Sequence, residues 1–255
     1  MGVIEAIKKG FGTANKNLGL VLVLFVFNAL WAIGSLPFMA AANASAPVTA
    51  AAMVFSIVFI LVSVFIQGGT LGLVRDHLKT GSMKLAGFIP HGFKYYLRLF
   101  ILGLVIVLIV GIVAVIATVI IAATAPLNKV AVTIAATGLA VAIGLVGLYF
   151  VVLLIMSPYS MVCDDTGVVA AMKNSMKFVK AKLVKTILLL VLLILISLGV
   201  GFLVGFGTGL ATIAVSPRIG HVVIGLVNSI FNGYLGVAMI ASFMSFYLGL
   251  SGKEA

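Results

Sequence analysis

Residues 99–123 read LFILGLVIVLIVGIVAVIATVIIAA and contain no charged side chain. A helix of roughly 20 apolar residues is long enough to cross the hydrocarbon core of a bilayer. Five further stretches meet the same requirement, so the sequence predicts six membrane-spanning helices: 18–41, 50–73, 99–123, 130–156, 183–207 and 222–250. This pattern predicts an all-α, polytopic membrane protein that forms a single membrane domain over residues 1–255.

The composition excludes several other classes of protein. Of the 255 residues, 64% are apolar and 8% are charged, whereas soluble domains have roughly 45–50% apolar and about 25% charged residues. A soluble enzyme and a disordered chain are therefore excluded. The single cysteine, Cys163, allows neither an intramolecular disulfide nor a multi-cysteine metal site. Because Asp164 and Asp165 beside it disfavour the thiolate, we expect Cys163 to be inert.

The basic residues are distributed unevenly between the predicted connections. The net charge is +11, and 14 of the 16 Lys and Arg residues fall on one side of the predicted spans. Because basic loops stay in the cytoplasm, this bias predicts a multi-pass protein of the cell membrane with both termini cytoplasmic. The basic residues lie between apolar segments, so we expect anionic phospholipids, and not nucleic acid, as their partner.

Three segments that precede the first, third and fifth spans resemble one another. Residues 2–11 (GVIEAIKKGF) and 167–176 (GVVAAMKNSM) are identical at four of ten positions, and residues 85–93 (LAGFIPHGF) lie midway between them. Phe11, Phe93 and Met176 are spaced by 82 and 83 residues, close to a third of the chain. We therefore predict three parallel repeats, approximately 1–83, 84–166 and 167–255, related by rotation about the membrane normal.

Each repeat is predicted to consist of an amphipathic interfacial helix followed by a helical hairpin. Helical spacing places the apolar residues of the third copy on one face: Val168, Met172, Met176, Val179 and Leu183. The second copy has a polar stripe of His91, Lys94 and Arg98, an apolar stripe of Ile89, Phe93, Tyr96 and Phe100, and a helix start at Pro90. We expect these helices along the inner leaflet, with these side chains reaching lipid headgroups: Lys173, Lys177, Lys180, Lys182, Lys185, Lys94 and Arg98.

A basic amphipathic segment leading into a hairpin is also a family pattern. The residues that carry it are Ala171, Lys173, Asn174, Ser175 and Lys182, together with Ser157-Pro158-Tyr159. The chain resembles the membrane-domain family attached to some glycerophosphoryl diester phosphodiesterases, and related uncharacterised six-span families of bacteria and archaea. In such proteins the phosphodiesterase activity belongs to a separate soluble domain. The resemblance therefore implies a membrane module and no activity, and no functional residues are carried over.

The pattern of ionisable residues argues against an enzyme. No charged residue lies in the core of a predicted span, which disfavours a proton-coupled transporter. Asp76, His77 and His91 lack the spacing of metal ligands on one helix, so we expect solvated loop histidines, no metal and no cofactor. The sequence contains no Gly-x-Ser-x-Gly nucleophile motif. We therefore predict a protein that is not an enzyme, and expect Pro158 to kink or end its helix.

Two interpretations remain open for the small and polar residues inside the spans. Gly201, Gly205 and Gly209 form two Gly-x-x-x-Gly steps, which are typical of close helix packing or of a broken helix that lines a cavity. Asn28, Asn228 and Asn232 would form interhelical hydrogen bonds or line a polar cavity. A continuous polar cavity that includes Gln67 would favour transport, whereas a dry glycine-packed bundle would not.

These observations lead to two hypotheses for the function. The first is a non-enzymatic membrane module that binds lipid or a protein partner and organises the membrane or a complex, with a homo-oligomer as one possible assembly. The second is a channel or carrier for a small or hydrophobic solute. The solute, the partner and the oligomeric state are not encoded in any motif of this sequence.

Overall fold

The computed structural model describes residues 1–39, 46–124, 130–212 and 215–252. Apart from a 3₁₀ turn at Leu85–Gly87, the elements in these ranges are α-helices: α1 (Val3–Lys16), α2 (Leu18–Met39), α3 (Ala46–Thr80), α4 (Phe88–Thr124), α5 (Val130–Leu154), α6 (Ser157–Asp164), α7 (Val168–Ala181), α8 (Leu183–Thr212) and α9 (Pro217–Leu250). No β-strand occurs in the described ranges, so the all-α prediction is confirmed.

Six described helical stretches are long and apolar enough to cross a membrane, as a membrane protein requires: Leu18–Phe38, Ala46–Thr80, Leu85–Thr124, Val130–Asp164, Leu183–Thr212 and Ile219–Leu250. The predicted starts at Leu18, Val130 and Leu183 coincide with helix starts. The predicted end of the first span at Ala41 lies outside the described residues. The fourth stretch is interrupted near Pro158, where α5 ends at Leu154 and α6 begins at Ser157, so the predicted effect of this proline is confirmed.

The segment predicted to open the second repeat departs from the expected arrangement. This amphipathic segment does not form a helix of its own, because α4 runs without interruption from Phe88 to Thr124. The expected start at Pro90 is two residues late. Pro90 is the third residue of α4, where an absent N–H group costs no intrahelical hydrogen bond. No later proline interrupts this helix, so the amphipathic turns and the apolar stretch are continuous.

The segments predicted to open the first and third repeats form similar helices. α1 and α7 are both 14 residues long, and each is preceded by a glycine in extended conformation, Gly2 or Gly167. Each ends at a single non-helical residue, Asn17 or Lys182, after which the long helix starts. Equivalent residues of these two segments are 165 positions apart throughout.

Contacts between Cα atoms divide the chain into two compact units. In the first unit, residues 1–96 and 184–255, α1 and α2 pack on α9, and α3 packs on α2 and α9. Its buried residues are concentrated at 68–74 of α3 and 241–248 of α9. In the second unit, residues 97–183, α7 packs against α5 and α6. The buried residues there include 160–163 of α6.

Candidate functional site

Each amphipathic segment contacts the carboxyl-terminal half of a long helix. Gly10 of α1 lies so close to α9 that a Cβ atom at this position would fall within 3.0 Å of backbone atoms of Ala238 and Ser242. At the start of α4, the ring of Phe88 covers Gly69 of α3. α7 lies against α5 and α6. All three segments with sequence similarity therefore pack against a neighbouring helix.

Ser175 connects α7 to the interruption between α5 and α6. Its hydroxyl donates a hydrogen bond to the carbonyl oxygen of Leu153 (2.7 Å) and accepts one from the N–H of Met156 (3.2 Å). Both backbone groups lose their regular helical partners where α5 ends before Pro158, and buried backbone groups need partners. The structure thus places Ser175 at the helix interruption that precedes Ser157-Pro158.

The burial of α7 separates a protein-facing side from a cationic side. Ala171, Ser175 and Val179, each one helical turn from the next, are buried where α7 packs against α5 and α6. The lysines project from the other faces of α7 and from the first residues after it, and all five are exposed: Lys173, Lys177, Lys180, Lys182 and Lys185. Of the apolar residues predicted to form one face, only Val179 is buried. The face of α7 that contacts α5 and α6 therefore consists of smaller residues than the apolar face predicted from hydropathy.

The two headgroup candidates of α4 have protein contacts of their own. The Lys94 ammonium lies 5.3 Å from the centroid of the Tyr95 ring. Arg98 forms an ion pair with Asp165 (Nη1 to Oδ1, 2.9 Å). Asp165 has a left-handed backbone conformation, with φ of 49°, in the turn before α7. Arg98 therefore stabilises this turn, and less of its charge is available to a lipid headgroup.

A polar network at the end of α3 was not predicted from the sequence. The Asp76 carboxylate accepts hydrogen bonds from Arg75 (2.7 Å) and pairs with His91 Nε2 at 2.7 Å. Arg75 also donates to the hydroxyl of Tyr95, whose side chain is fully buried. Because the His91 side chain is only 16% exposed, the expectation of a solvated loop histidine is wrong for this residue. The sequence contains one partial signal: His91 and Tyr95 are one helical turn apart and therefore lie on the same face of α4.

Neither histidine of this region belongs to a metal-binding group. His77 Nδ1 is buried without a hydrogen-bond partner in the described structure. Among the described residues, no three His, Cys, Asp or Glu side chains lie close enough together to hold a metal ion. The network around Asp76 connects α3 to the start of α4.

The small and polar residues of α8 and α9 surround a cavity of about 210 Å³. Its lining includes Gly201, Asn228 and Asn232, but not Asn28, which is half-buried on α2. The side-chain amides of Asn228 and Asn232 form no hydrogen bond with other described residues. A Cβ atom on Gly201, Gly205 or Gly209 would meet no described atom within 4 Å. These glycines therefore make no close helix contact within the described chain.

The profile of one protein family matches residues 1–250, almost the whole chain. The family is described as a domain of unknown function, DUF7847, and the chain belongs to it. Neither the curated proteins nor the solved structures include a significant match.

Proposed function

We propose that this chain is a non-enzymatic, multi-pass membrane module whose basic helices bind anionic phospholipids and that organises the bilayer or a complex. The single observation that carries this proposal is the fixed orientation of α7. Because Ala171, Ser175 and Val179 anchor one side of the helix, Lys173 and Lys177 point away from the protein. A cationic surface held in this way suits a layer of phosphate groups.

The expected free energy of binding supports an interaction between the lysines of α7 and anionic lipid. Each basic residue near an anionic leaflet contributes about 1 kcal/mol, so three lysines together exceed thermal energy severalfold. Val184, which is 79% exposed beside Lys182 and Lys185, supplies apolar contact with acyl chains. Charge and apolar surface acting together are what interfacial helices require.

Replacing Lys173, Lys177 and Lys180 with glutamine tests this role. We expect the purified variant to retain several-fold less phosphatidylglycerol than the wild type, measured by mass spectrometry of the bound lipid. The triple lysine-to-arginine variant is the matched control, since it keeps the charge and should retain wild-type amounts. Unchanged retention in the glutamine variant would mean that these lysines act only as topological signals.

The proposed topology has both termini on the cytoplasmic side of the cell membrane. Its support is the unequal distribution of Lys and Arg between the connections. With Cys163 replaced by alanine, single cysteines at Ser45 and Ser82 should be labelled from opposite sides by an impermeant maleimide. Ser82 is exposed, and Ser45 lies outside the described residues. Labelling of both from one side would refute this topology.

The three-repeat organisation is part of the same proposal. It is supported by the equal lengths, equivalent caps and constant 165-residue offset of α1 and α7. It is also supported by the burial of Gly10 and Ser175, which occupy equivalent positions of the two helices. A protein partner or a second copy would add to such a module, and the mass of the complex in native mass spectrometry would reveal either.

The cavity between α8 and α9 favours a second candidate, a channel or carrier for a small or hydrophobic solute. Asn228 and Asn232 offer polar groups to a solute there, although neither Asn28 nor Gln67 extends the polar lining. Stopped-flow swelling of proteoliposomes with glycerol as permeant tests it. A permeability equal to that of protein-free liposomes would count against a channel for such solutes, and a higher value that falls in the Asn228→Ala, Asn232→Ala variant would support it.

A further inference from the structure

A second cationic feature lies in the first compact unit, residues 1–96 and 184–255. A cleft of about 590 Å³ separates the first turns of α1 from the start of α8. Its lining is small and mostly apolar, with lysines contributed by both helices: Gly2, Val3, Ile4, Glu5, Lys8, Lys185 and Leu188. None of the sequence patterns places Lys8 next to Lys185, because they are 177 residues apart.

The packing of α1 fixes the position of Lys8. Val3, Ala6 and Gly10 are buried, and the contact of Gly10 with α9 leaves no room for rotation of the helix. Ile4 and Lys8 are one turn apart and therefore project together from the adjacent face, where both are exposed. The Lys8 ammonium is thus presented to the cleft by a rigid helix.

The charges in the cleft favour an anion. Neither Lys8 nor Lys185 forms an ion pair or hydrogen bond within the described residues. The one acidic side chain, Glu5, accepts a hydrogen bond from the Gly2 N–H (3.1 Å) and so participates in the cap of α1. The cleft thus contains two positive charges and one negative charge. A phosphodiester would neutralise the remaining positive charge.

The surface below the cleft favours a lipid over a free phosphate ion. From Leu188, which lines the cleft, a stripe of exposed apolar side chains continues along α8: Leu188, Val191, Leu195 and Leu198. The 14 residues from Lys185 to Leu198 span about 20 Å of helix, which is comparable to an extended acyl chain. A cationic pair at the top of an apolar track matches the amphipathic shape of a phospholipid.

We propose that this cleft binds the headgroup of a single anionic phospholipid, with the phosphate between Lys8 and Lys185 and an acyl chain along α8. The proposal rests on the proposed function, because it assumes that α8 crosses the bilayer. It adds a discrete site of defined stoichiometry to the diffuse attraction exerted by α7. The residues that distinguish this site are Lys8 and Glu5, which have no part in the α7 surface.

Titration of the detergent-purified protein with phosphatidylglycerol, followed by native mass spectrometry, tests the site. We expect one phosphatidylglycerol to bind before any other, and phosphatidylcholine with the same acyl chains to bind more weakly. The Lys8→Gln, Lys185→Gln variant should lose this first event, with affinity reduced about tenfold or more, since two basic contacts are removed. The control variant Lys173→Gln, Lys177→Gln should keep it.

A second variant guards against a result caused by misfolding. Glu5→Gln removes the opposing charge but can still cap α1, so we expect phosphatidylglycerol affinity to rise several-fold.

A millimolar excess of inorganic phosphate should not displace the lipid. Displacement would assign the cleft to free anions and overturn the lipid assignment.

The two proposals fail in different ways. Unchanged phosphatidylglycerol affinity in the Lys8→Gln, Lys185→Gln variant would overturn the cleft site while leaving the α7 surface standing. If instead the α7 glutamine variant retains all its lipid and the cleft variant loses the first lipid, the cleft site holds and the α7 surface does not.

Discussion

α1 and α7 match in length, in their glycine caps and in the one-residue interruption that follows each, yet they contact their partner helices differently. In α1, Gly10 lies against an unbroken part of α9 and brings the two backbones close together. In α7, the equivalent position is Ser175, which lies against the end of α5 and exchanges two hydrogen bonds with its backbone. Each residue stands one turn after a buried alanine, Ala6 or Ala171.

The difference shows that the partner helix decides which small residue is suitable. The backbone groups of an unbroken helix are paired within the helix, so its neighbour needs only to leave space. A helix interrupted near a proline has unpaired backbone groups, so its neighbour must offer a donor and an acceptor. A serine hydroxyl provides both in the smallest possible volume.

The largest effect is expected from Gly10→Val. The added side chain would meet backbone atoms of Ala238 and Ser242, which cannot rotate away as a flexible side chain would. Overpacking typically costs about 1–3 kcal/mol of unfolding free energy, and contact with backbone atoms places this variant at the upper end. Thermal unfolding in detergent should therefore begin several degrees lower. Gly12→Val is the matched control in the same helix, because no described atom lies within 4 Å of its Cβ position. Equal stability of the two variants would disprove the close contact with α9.

A smaller loss is expected from Ser175→Ala. The substitution keeps the volume nearly constant but leaves the carbonyl of Leu153 and the N–H of Met156 without their partner. Leaving buried polar groups unpaired costs roughly 1–3 kcal/mol, measurable as a shift in the same unfolding experiment. Asn174→Ala serves as the control, since the neighbouring amide makes no hydrogen bond to described residues. If the serine and asparagine variants unfold together, the hydroxyl does not stabilise the interruption.

The smallest effect is expected from Arg98→Ala. It removes the ion pair with Asp165, whose side chain is about half exposed. Partly exposed pairs contribute about 0.2–1 kcal/mol and are screened by salt, so the difference from wild type should shrink as the salt concentration rises. Among the described residues, no equivalent ion pair precedes α1. A large, salt-independent loss would therefore show that the turn before α7 depends on Arg98 in another way.

The helix ends show which boundaries hydropathy can predict and which it cannot. It located the starts of α2, α5 and α8 because each follows a change from polar to apolar residues. It placed the end of α3 at Leu73, although the helix continues to Thr80, because polar residues end an apolar run without ending a helix. It also ended the fifth span at Gly207, whereas α8 continues to Thr212. Glycines rarely break a helix in apolar surroundings, where freed backbone groups find no water.

The candidate site was predictable only in part. The five lysines at 173–185 were identified from charge alone, and all of them are exposed as a cationic surface requires. The pairing of Asp76 with His91 was missed, because the turn between α3 and α4 determines which residues of the two helices meet. Lys8 and Lys185 likewise line the same cleft only through the tertiary structure.

The sequence by itself determined that this protein is built from long apolar helices with basic amphipathic segments beside them. Length, hydropathy and charge are local properties, and each helix satisfies its own backbone hydrogen bonds. Only the tertiary structure decided which faces contact protein: Ala6, Gly10 and Ala14 of α1, and Ala171, Ser175 and Val179 of α7. In a chain suited to lipid surroundings, an apolar side chain is compatible with lipid contact and with protein contact alike. Hydropathy therefore cannot separate the two faces, whereas close packing selects the smallest residues.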